Sequence, residues 1–232
     1  MREFRLALSM PQTFIEYLKS VDSPTLSNAI ELLRIRPNGA GFTPLGVRCL
    51  FPELGRMCGY AVTAQVETVT DSGTFDIGRF VELYRLVEAS LKPAVIVLQE
   101  IGGHPEYAAH CGEVMSTVFR KLGAVGLVSD CAVRDLPEVR AMGFQYFARG
   151  SVASHANFRI VRVGEAVQIH GLVVRPGEIL HGDENGLVSV PEGYEKELPA
   201  KVDEVRARER KLLEWVRSDA FSLDRFRDFV VE

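Results

Sequence analysis

Two short segments carry residue types that can do chemistry at a workable spacing: Gly112-Glu113-Val114-Met115 and Asp130-Cys131-Ala132-Val133-Arg134-Asp135. Gly112 opens a stretch in which Val114, Val118 and Leu122 recur at helical spacing. The backbone N–H groups of such a first turn favour an anion, for example a carboxylate. Arg134 offers a planar fork to a carboxylate or an enolate oxygen, and Asp135 offers hard oxygen to a divalent metal. Together they suit a small keto acid held against a metal. An Arg-Asp pair in a loop is, on its own, usually a solvated ion pair. Specificity comes from the whole set: the glycine-led turn, the acid Glu113, an apolar strand, and then Arg134 and Asp135.

The elements that must position these residues are legible in outline. The valine-rich run 124–129 reads as a buried strand that delivers Arg134 and Asp135 into the following loop, and strand ends and helix starts are where α/β folds gather chemistry. Upstream, residues 13–19 and a segment from Ser23 to Leu33 read as helices, with Ser23 as N-cap and Pro24 at the first helical position. Gly39, Gly41, Pro44 and Gly46 mark a loop. Residues 59–69 are rich in β-branched side chains and predict a strand; Phe80, Leu83, Tyr84, Val87 and Leu91 form one face of a helix that breaks at Pro93. The apolar run 94–98 is too short for a helix and predicts a buried strand. After a short helix at 136–142 come short β runs at 144–147, 159–163, 167–170, 172–174 and 187–190, with a turn at Asp183-Glu184-Asn185-Gly186. Residues 192–217 read as a charged helix with Val202, Val205, Leu212, Leu213 and Val216 as a thin apolar seam, and 223–230 as a last short helix. This order predicts a layered mixed α/β domain in preference to a doubly wound one.

Composition narrows the function classes. With 232 residues, 47% of them apolar, the chain can bury a core as one domain. The net charge of −4 and the absence of a long basic run argue against nucleic acid as a partner. Met1-Arg2-Glu3-Phe4-Arg5 is followed by no long apolar leader region, and no run of about 18 uncharged apolar residues occurs, so a soluble cytoplasmic protein with no membrane partner is expected. Cys49, Cys58, Cys111 and Cys131 form no C-x-x-C pair and no disulfide framework; Cys111 and Cys131 flank the candidate site, where core packing is favoured over a thiolate role. His104, Glu106 and His110 lie close in sequence but at no helical ligand spacing, which favours loop hydrogen bonds or substrate-edge contacts over a metal cluster. His155, His170 and His181 form no pattern. Dinucleotide, Walker, H-E-x-x-H and G-x-S-x-G signatures are absent.

From Gly112-Glu113 through Val133-Arg134-Asp135, the chain resembles the family of the 4-hydroxy-4-methyl-2-oxoglutarate aldolases and the regulator of ribonuclease activity A. The resemblance extends over residues 23–191, through Ser23-Pro24-Thr25-Leu26-Ser27-Asn28-Ala29, Gly59-Tyr60-Ala61-Val62-Thr63, Phe144-Gln145-Tyr146-Phe147-Ala148-Arg149-Gly150, Val174-Arg175-Pro176-Gly177-Glu178 and Gly182-Asp183-Glu184-Asn185-Gly186-Leu187. It implies a β/β/α swivelling-type single domain over 1–232, with N-terminal helices and with 192–232 a C-terminal helical extension at a subunit interface of a homotrimer or homohexamer. It also implies a divalent-metal-dependent class II retro-aldolase that cleaves a 4-hydroxy-2-oxo diacid to pyruvate and a second oxo acid. Oxaloacetate decarboxylation follows, because it passes through the same pyruvate enolate.

In that resemblance Asp135 binds Mg²⁺ or Mn²⁺, Glu113 holds a metal-bound water, Arg134 steadies the enolate, and the backbone of Gly112, Glu113, Val114 and Met115 receives the substrate carboxylate. Glu209, with Glu204 second, matches an acid that the neighbouring subunit lends to the metal's water shell. Cys131 departs from the pattern, standing where many relatives carry glycine; so does the segment 104–110. The rival reading is a non-catalytic binding regulator of ribonuclease E with the same Arg-Asp core. Another lyase or hydrolase on the same scaffold is a third, and likeness of fold does not separate them.

Overall fold

In a computed structural model that describes residues 12–69 and 76–231, the sheet is organised by one strand whose two faces are both buried. Strand β3 (Ala94–Glu100) alternates Val95 and Val97 toward one core with Ile96 and Leu98 toward another, as expected of a parallel strand covered on both sides. Before it come the helices α1 (Gln12–Lys19) and α2 (Ser23–Leu32), then β1 (Arg48–Cys49), the long β2 (Met57–Val69) and helix α3 (Ile77–Ala89). After it come α4 (Glu113–Lys121), β4 (Ala124–Ser129), β5 (Ala132–Val133), α5 (Leu136–Ala141), β6 (Gln145–Ala148) and β7 (Gly150–Ser151). The chain continues through β8 (Asn157–Val163), β9 (Val167–Ile169), β10 (Leu172–Val174), β11 (Ile179–Asp183) and β12 (Gly186–Val190) to α6 (Leu198–Val216) and α7 (Leu223–Val231).

The main sheet runs β1-β6-β4-β3-β2-β11-β12. Its centre, β6-β4-β3-β2, is parallel, and the crossovers α3, α4 and α5 connect those strands. Thirteen-residue β2 exchanges one neighbour for another along a single edge: Met57–Tyr60 pair with β11, and Ala64–Val69 with β8, both antiparallel. One face of the sheet packs Val62, Ile96 and Leu127 against Phe80, Leu83, Phe119 and Val139 of the three crossover helices. On the other face Ala61, Val95, Val97 and Phe147 meet the β9–β10 hairpin through Val167, Ile169, Leu172 and Val174. The layers are therefore hairpin, sheet and helices, the β/β/α arrangement expected above. A third cluster joins α1, α2 and the first half of α6 to Tyr60, Ile179 and Val188.

Several boundaries differ from the sequence reading. Asp22, not Ser23, caps α2, its carboxylate accepting from the Thr25 N–H at 2.8 Å, so Ser23 becomes the first helical residue. The C-terminal helix begins at Leu198, not near 192; its Leu198, Val202 and Val205 dock on its own domain, whereas Leu213 and Val216 remain largely exposed. Strand β11 was not expected at all. The segment Met1–Arg5, read above for a leader, lies outside the described residues, and among those described no helix is long and apolar enough to cross a membrane.

Candidate active site

Both chemical segments sit beyond the C-terminal ends of β3 and β4, as the parallel centre of the sheet requires of a site in an open α/β fold. They are stitched to each other by backbone bonds. His110 N–H donates to Ala132 O at 2.9 Å, Arg134 N–H donates to Cys111 O at 2.9 Å, and Ala109 bridges Ala132 in parallel. This places Gly112, the N-cap of α4, directly against Arg134 and Asp135. A Cβ on Gly112 would lie 2.4 Å from Asp135 Oδ2 and 3.0 Å from Arg134 Cγ and Nε, so the absence of a side chain there makes room for both.

Asp135 Oδ2 accepts the Glu113 N–H at 2.8 Å and lies 3.6 Å from Arg134 Nε. Asp135 itself has φ 57°, a left-handed conformation tolerated by Asp but strained for most side chains, and such residues gather at functional sites. It stands at the N-cap of α5 without using its side chain as a cap, which leaves the carboxylate turned to the candidate site. The Glu113 carboxylate is exposed and takes part in no hydrogen bond or ion pair among the described residues. Val114 and Met115 contribute first-turn N–H groups, which an α-helix leaves without intrahelical acceptors. Two accessible carboxylates beside open solvent fit a hard cation that keeps most of its waters, as Mg²⁺ does. The sequence-predicted residues Gly112, Glu113, Val114, Met115, Arg134 and Asp135 are thus brought together.

Glu209 is not among them. It is exposed on α6, where its carboxylate accepts from Asn28 Nδ2 of α2 at 3.4 Å. Glu204 is ion paired on the same helix to Lys201 at 2.8 Å and to Arg208 at 2.5 Å.

Behind the two loops lies a buried polar brace that sequence reasoning missed. His110, paired above with His104 and Glu106 for its position in the chain, instead meets Glu100: Nε2 and Oε2 are 2.9 Å apart, with both side chains almost fully buried. Glu100 also accepts from Thr68 N–H, from the Thr68 hydroxyl at 2.6 Å and from Gly102 N–H at 2.5 Å. Burial opposes ionisation of Glu100, but the hydrogen bonds from His110 and Thr68 prevail and hold its carboxyl down at about 2. Asp130 Oδ1 accepts the Glu100 N–H at 2.6 Å, yet burial pushes this carboxyl up to about 7. Glu100, His110 and Cys131 bring one potential ligand atom each within 4.8 Å of the others, the one such group of three among the described residues. Each of those atoms already has a hydrogen-bond partner in the protein, Cys131 Sγ donating to Ala108 O at 2.9 Å. The available signal was a charged residue closing each apolar strand, Glu100 as the last residue of β3 and Asp130 just after β4.

Cys131 is fully buried, donates to Ala108 O and does not line the cleft at Arg134. Burial raises the Cys111 and Cys131 thiols to about 11, which keeps both protonated and favours the packing role. His104 stacks edge-on against exposed Tyr107, away from His110's partners. His155 lines a cleft that opens from Arg134, and His181 bonds the hydroxyl of Ser23 at 3.1 Å.

Comparison with known proteins agrees with this architecture. The family model described as RraA-like, Aldolase/RraA, matches residues 24–189. A protein of Halalkalibacterium halodurans, provisionally named a 4-hydroxy-4-methyl-2-oxoglutarate aldolase, is 29% identical over 100 residues, covering 43% of this chain; the match spans about half, 48%, of that relative's own length. An uncharacterized protein from Pseudomonas syringae pv. tomato superposes with a TM-score of 0.73 at 23% identity, covering 95% of each chain. Streptomyces coelicolor RraAS2, described as an unusual member of the RNase ES inhibitor RraA protein family, superposes with a TM-score of 0.69 at 21% identity over 91% of this chain and 99% of its own. With the family model covering most of its length and the Gly112 turn and Arg134-Asp135 loop inside the match, this chain belongs to the RraA-like family.

Proposed function

We propose that this protein is a divalent-metal-dependent carbon-carbon lyase that cleaves a 4-hydroxy-2-oxo acid to pyruvate and a second carbonyl compound, and that also decarboxylates oxaloacetate. The observation that carries this reading is the contact of Gly112 with Arg134 and Asp135, which sets a guanidinium, a carboxylate and the start of a helix around one point. Asp135 would hold Mg²⁺ or Mn²⁺, Glu113 would reach it through water, and Glu209 of a neighbouring subunit in a homotrimer or homohexamer would complete the water shell. The cation would supply Lewis acidity toward the 2-oxo oxygen.

The chain's own groups do the rest. The first-turn N–H groups of Val114 and Met115 receive the substrate carboxylate and fix its orientation. Arg134 directs its planar fork at the oxygen on which charge develops as the C3–C4 bond breaks, and a preorganised donor of this kind is typically worth about 10²- to 10³-fold in rate. Glu113, exposed and without a partner among the described residues, would move a proton through water. No Schiff-base lysine is needed, and none of the residues gathered here is a lysine. Non-catalytic binding of a ribonuclease, the rival reading, has no use for an unpaired Glu113 beside an anion-binding turn.

The test is a coupled assay for pyruvate release from oxaloacetate and from 4-hydroxy-2-oxo acids, with and without Mg²⁺ or Mn²⁺. Metal-dependent pyruvate release is expected; its absence from every substrate with folded protein would reject the lyase reading.

A further inference from the structure

The site does not end at Arg134. A cleft of about 800 Å³ opens from Gly112, Met115 and Arg134 and runs between α3, α4 and β8. That is within the size range of small-molecule sites, and far more than a pyruvyl group fills. Its walls are Ile77, Phe80 and Tyr84 from α3, Val114 and Met115 from α4, and Phe158 from β8. Ile77 is 61% and Val114 77% exposed, so large apolar side chains line the mouth facing water.

Among the described residues that line this cleft, both arginines face a carboxylate. Its two arginines are Arg134, which faces Asp135, and Arg159, whose Nε and Nη2 lie 2.7 and 2.6 Å from Glu67 Oε2. The one histidine, His155, bonds the Ala156 carbonyl through Nδ1. Among the described lining residues, then, both arginines already face a carboxylate, so a second carboxylate placed here would lose water among apolar walls for little return, whereas an apolar group would gain by burial.

We propose that the cleft selects 2-oxo acids carrying an apolar arm, alkyl or aryl, at C4, in the position where a diacid substrate would carry its second carboxylate. The proposal deepens the lyase reading and rests on it for the head group. In cleavage of such a 4-hydroxy-2-oxo acid, the C4 hydroxyl gives up its proton and becomes the carbonyl of an apolar aldehyde or ketone. The electron pair of the C3–C4 bond stays on C3, and a proton delivered there completes pyruvate, with no oxidant or reductant required.

The experiment compares binding of two non-cleavable 2-oxo acids to the Mg²⁺-loaded protein by calorimetry, 2-oxo-4-phenylbutanoate and 2-oxoglutarate. Burial of the ring predicts at least tenfold tighter binding of the phenyl compound. Ile77→Arg, a change at an exposed helix start, should reverse the order by supplying a cation to the diacid. Equal or tighter binding of 2-oxoglutarate by the wild type would overturn the proposal. So would an Ile77→Arg variant that dissociates the oligomer yet leaves the preference unchanged, because the cleft would then be a subunit contact. Oxaloacetate turnover, run in parallel, reports the head-group chemistry alone. Its presence with a diacid preference would reject the apolar arm and keep the lyase; its absence with a phenyl preference would reject the lyase and keep the selectivity.

Discussion

Adding one methyl group at Gly112 should disable the site while sparing the fold. The backbone there is extended, with φ −139° and ψ −165°, so alanine meets no conformational penalty and the whole effect is steric. Its Cβ would stand 2.4 Å from Asp135 Oδ2, and ordinary contact begins at 3.4 Å, so the carboxylate must retreat by about 1 Å. That displacement breaks the 2.8 Å bond from Glu113 N–H, and Arg134, met at 3.0 Å through Cγ and Nε, must also yield. Both obstacles are side chains, so the cost to stability should stay in the range of about 1–3 kcal/mol typical of overpacking. Misplacement of a reacting group by 1 Å costs on the order of 10²-fold in rate. The assay is metal-dependent pyruvate release by Gly112→Ala, with a thermal melt of the same preparation. Turnover within a few-fold of wild type in a normally folded variant would refute the reasoning, because the methyl group would then have found room that the proposed geometry denies it.

Further outcomes follow from the same arrangement. Arg134→Lys replaces a planar fork with a point charge and should lower kcat by roughly 10²- to 10³-fold, measured in the same coupled assay; wild-type kcat would reduce Arg134 to a surface partner of Asp135. Burial raises the Asp130 carboxyl from an ordinary value near 3.8 to about 7, so between those values the folded chain keeps a proton that the unfolded chain releases. Stability should therefore fall as pH rises through that window, by up to about 4 kcal/mol, and level off above it; urea midpoints across pH 4–8 would show the slope, and Asp130→Asn should abolish it. Glu209→Ala should raise the metal concentration needed for activity without lowering the melting temperature. Mixed oligomers of Asp135→Ala and Glu209→Ala subunits should regain some turnover, and no recovery would confine Glu209 to its contact with Asn28.

What the sequence disclosed follows the locality of the signals. Strands β3 and β4 were legible as short apolar runs, and α4 as a periodic face after Gly112, because burial on the sheet writes directly into those residues. The Gly112 turn and the Arg134-Asp135 loop were legible as a pair only through their family pattern; the bonds that clamp them together, from His110 to Ala132 and from Arg134 to Cys111, leave no local trace. Strand β11 was hidden because His181, Gly182 and Asp183 read as loop residues. They are tolerated inside the sheet because Ser23, 160 residues away in sequence from Asp183, donates its N–H to that carboxylate at 2.7 Å and bonds the His181 ring. Gly182 is required there by Phe147 and Leu187, whose side chains would meet a Cβ at under 3 Å. The Glu100–His110 brace was concealed for the same reason, since its members share no periodicity and meet only after β3 and the following loop are folded. The apolar cleft likewise draws on α3, α4 and β8 at once.

The central claim is that Asp135 carries the metal on which pyruvate formation depends. Its most direct measurement is Mn²⁺ binding by calorimetry to the wild type and to Asp135→Ala, with oxaloacetate turnover followed on the same samples. Asp135 is partly exposed and its side chain accepts only the Glu113 N–H at the start of α4 among the described residues, a bond whose loss costs about 0.5–2 kcal/mol, so the variant should remain folded. The account predicts that metal binding and pyruvate release are lost together. A folded Asp135→Ala protein that binds Mn²⁺ as tightly as the wild type, or releases pyruvate as fast, would contradict it.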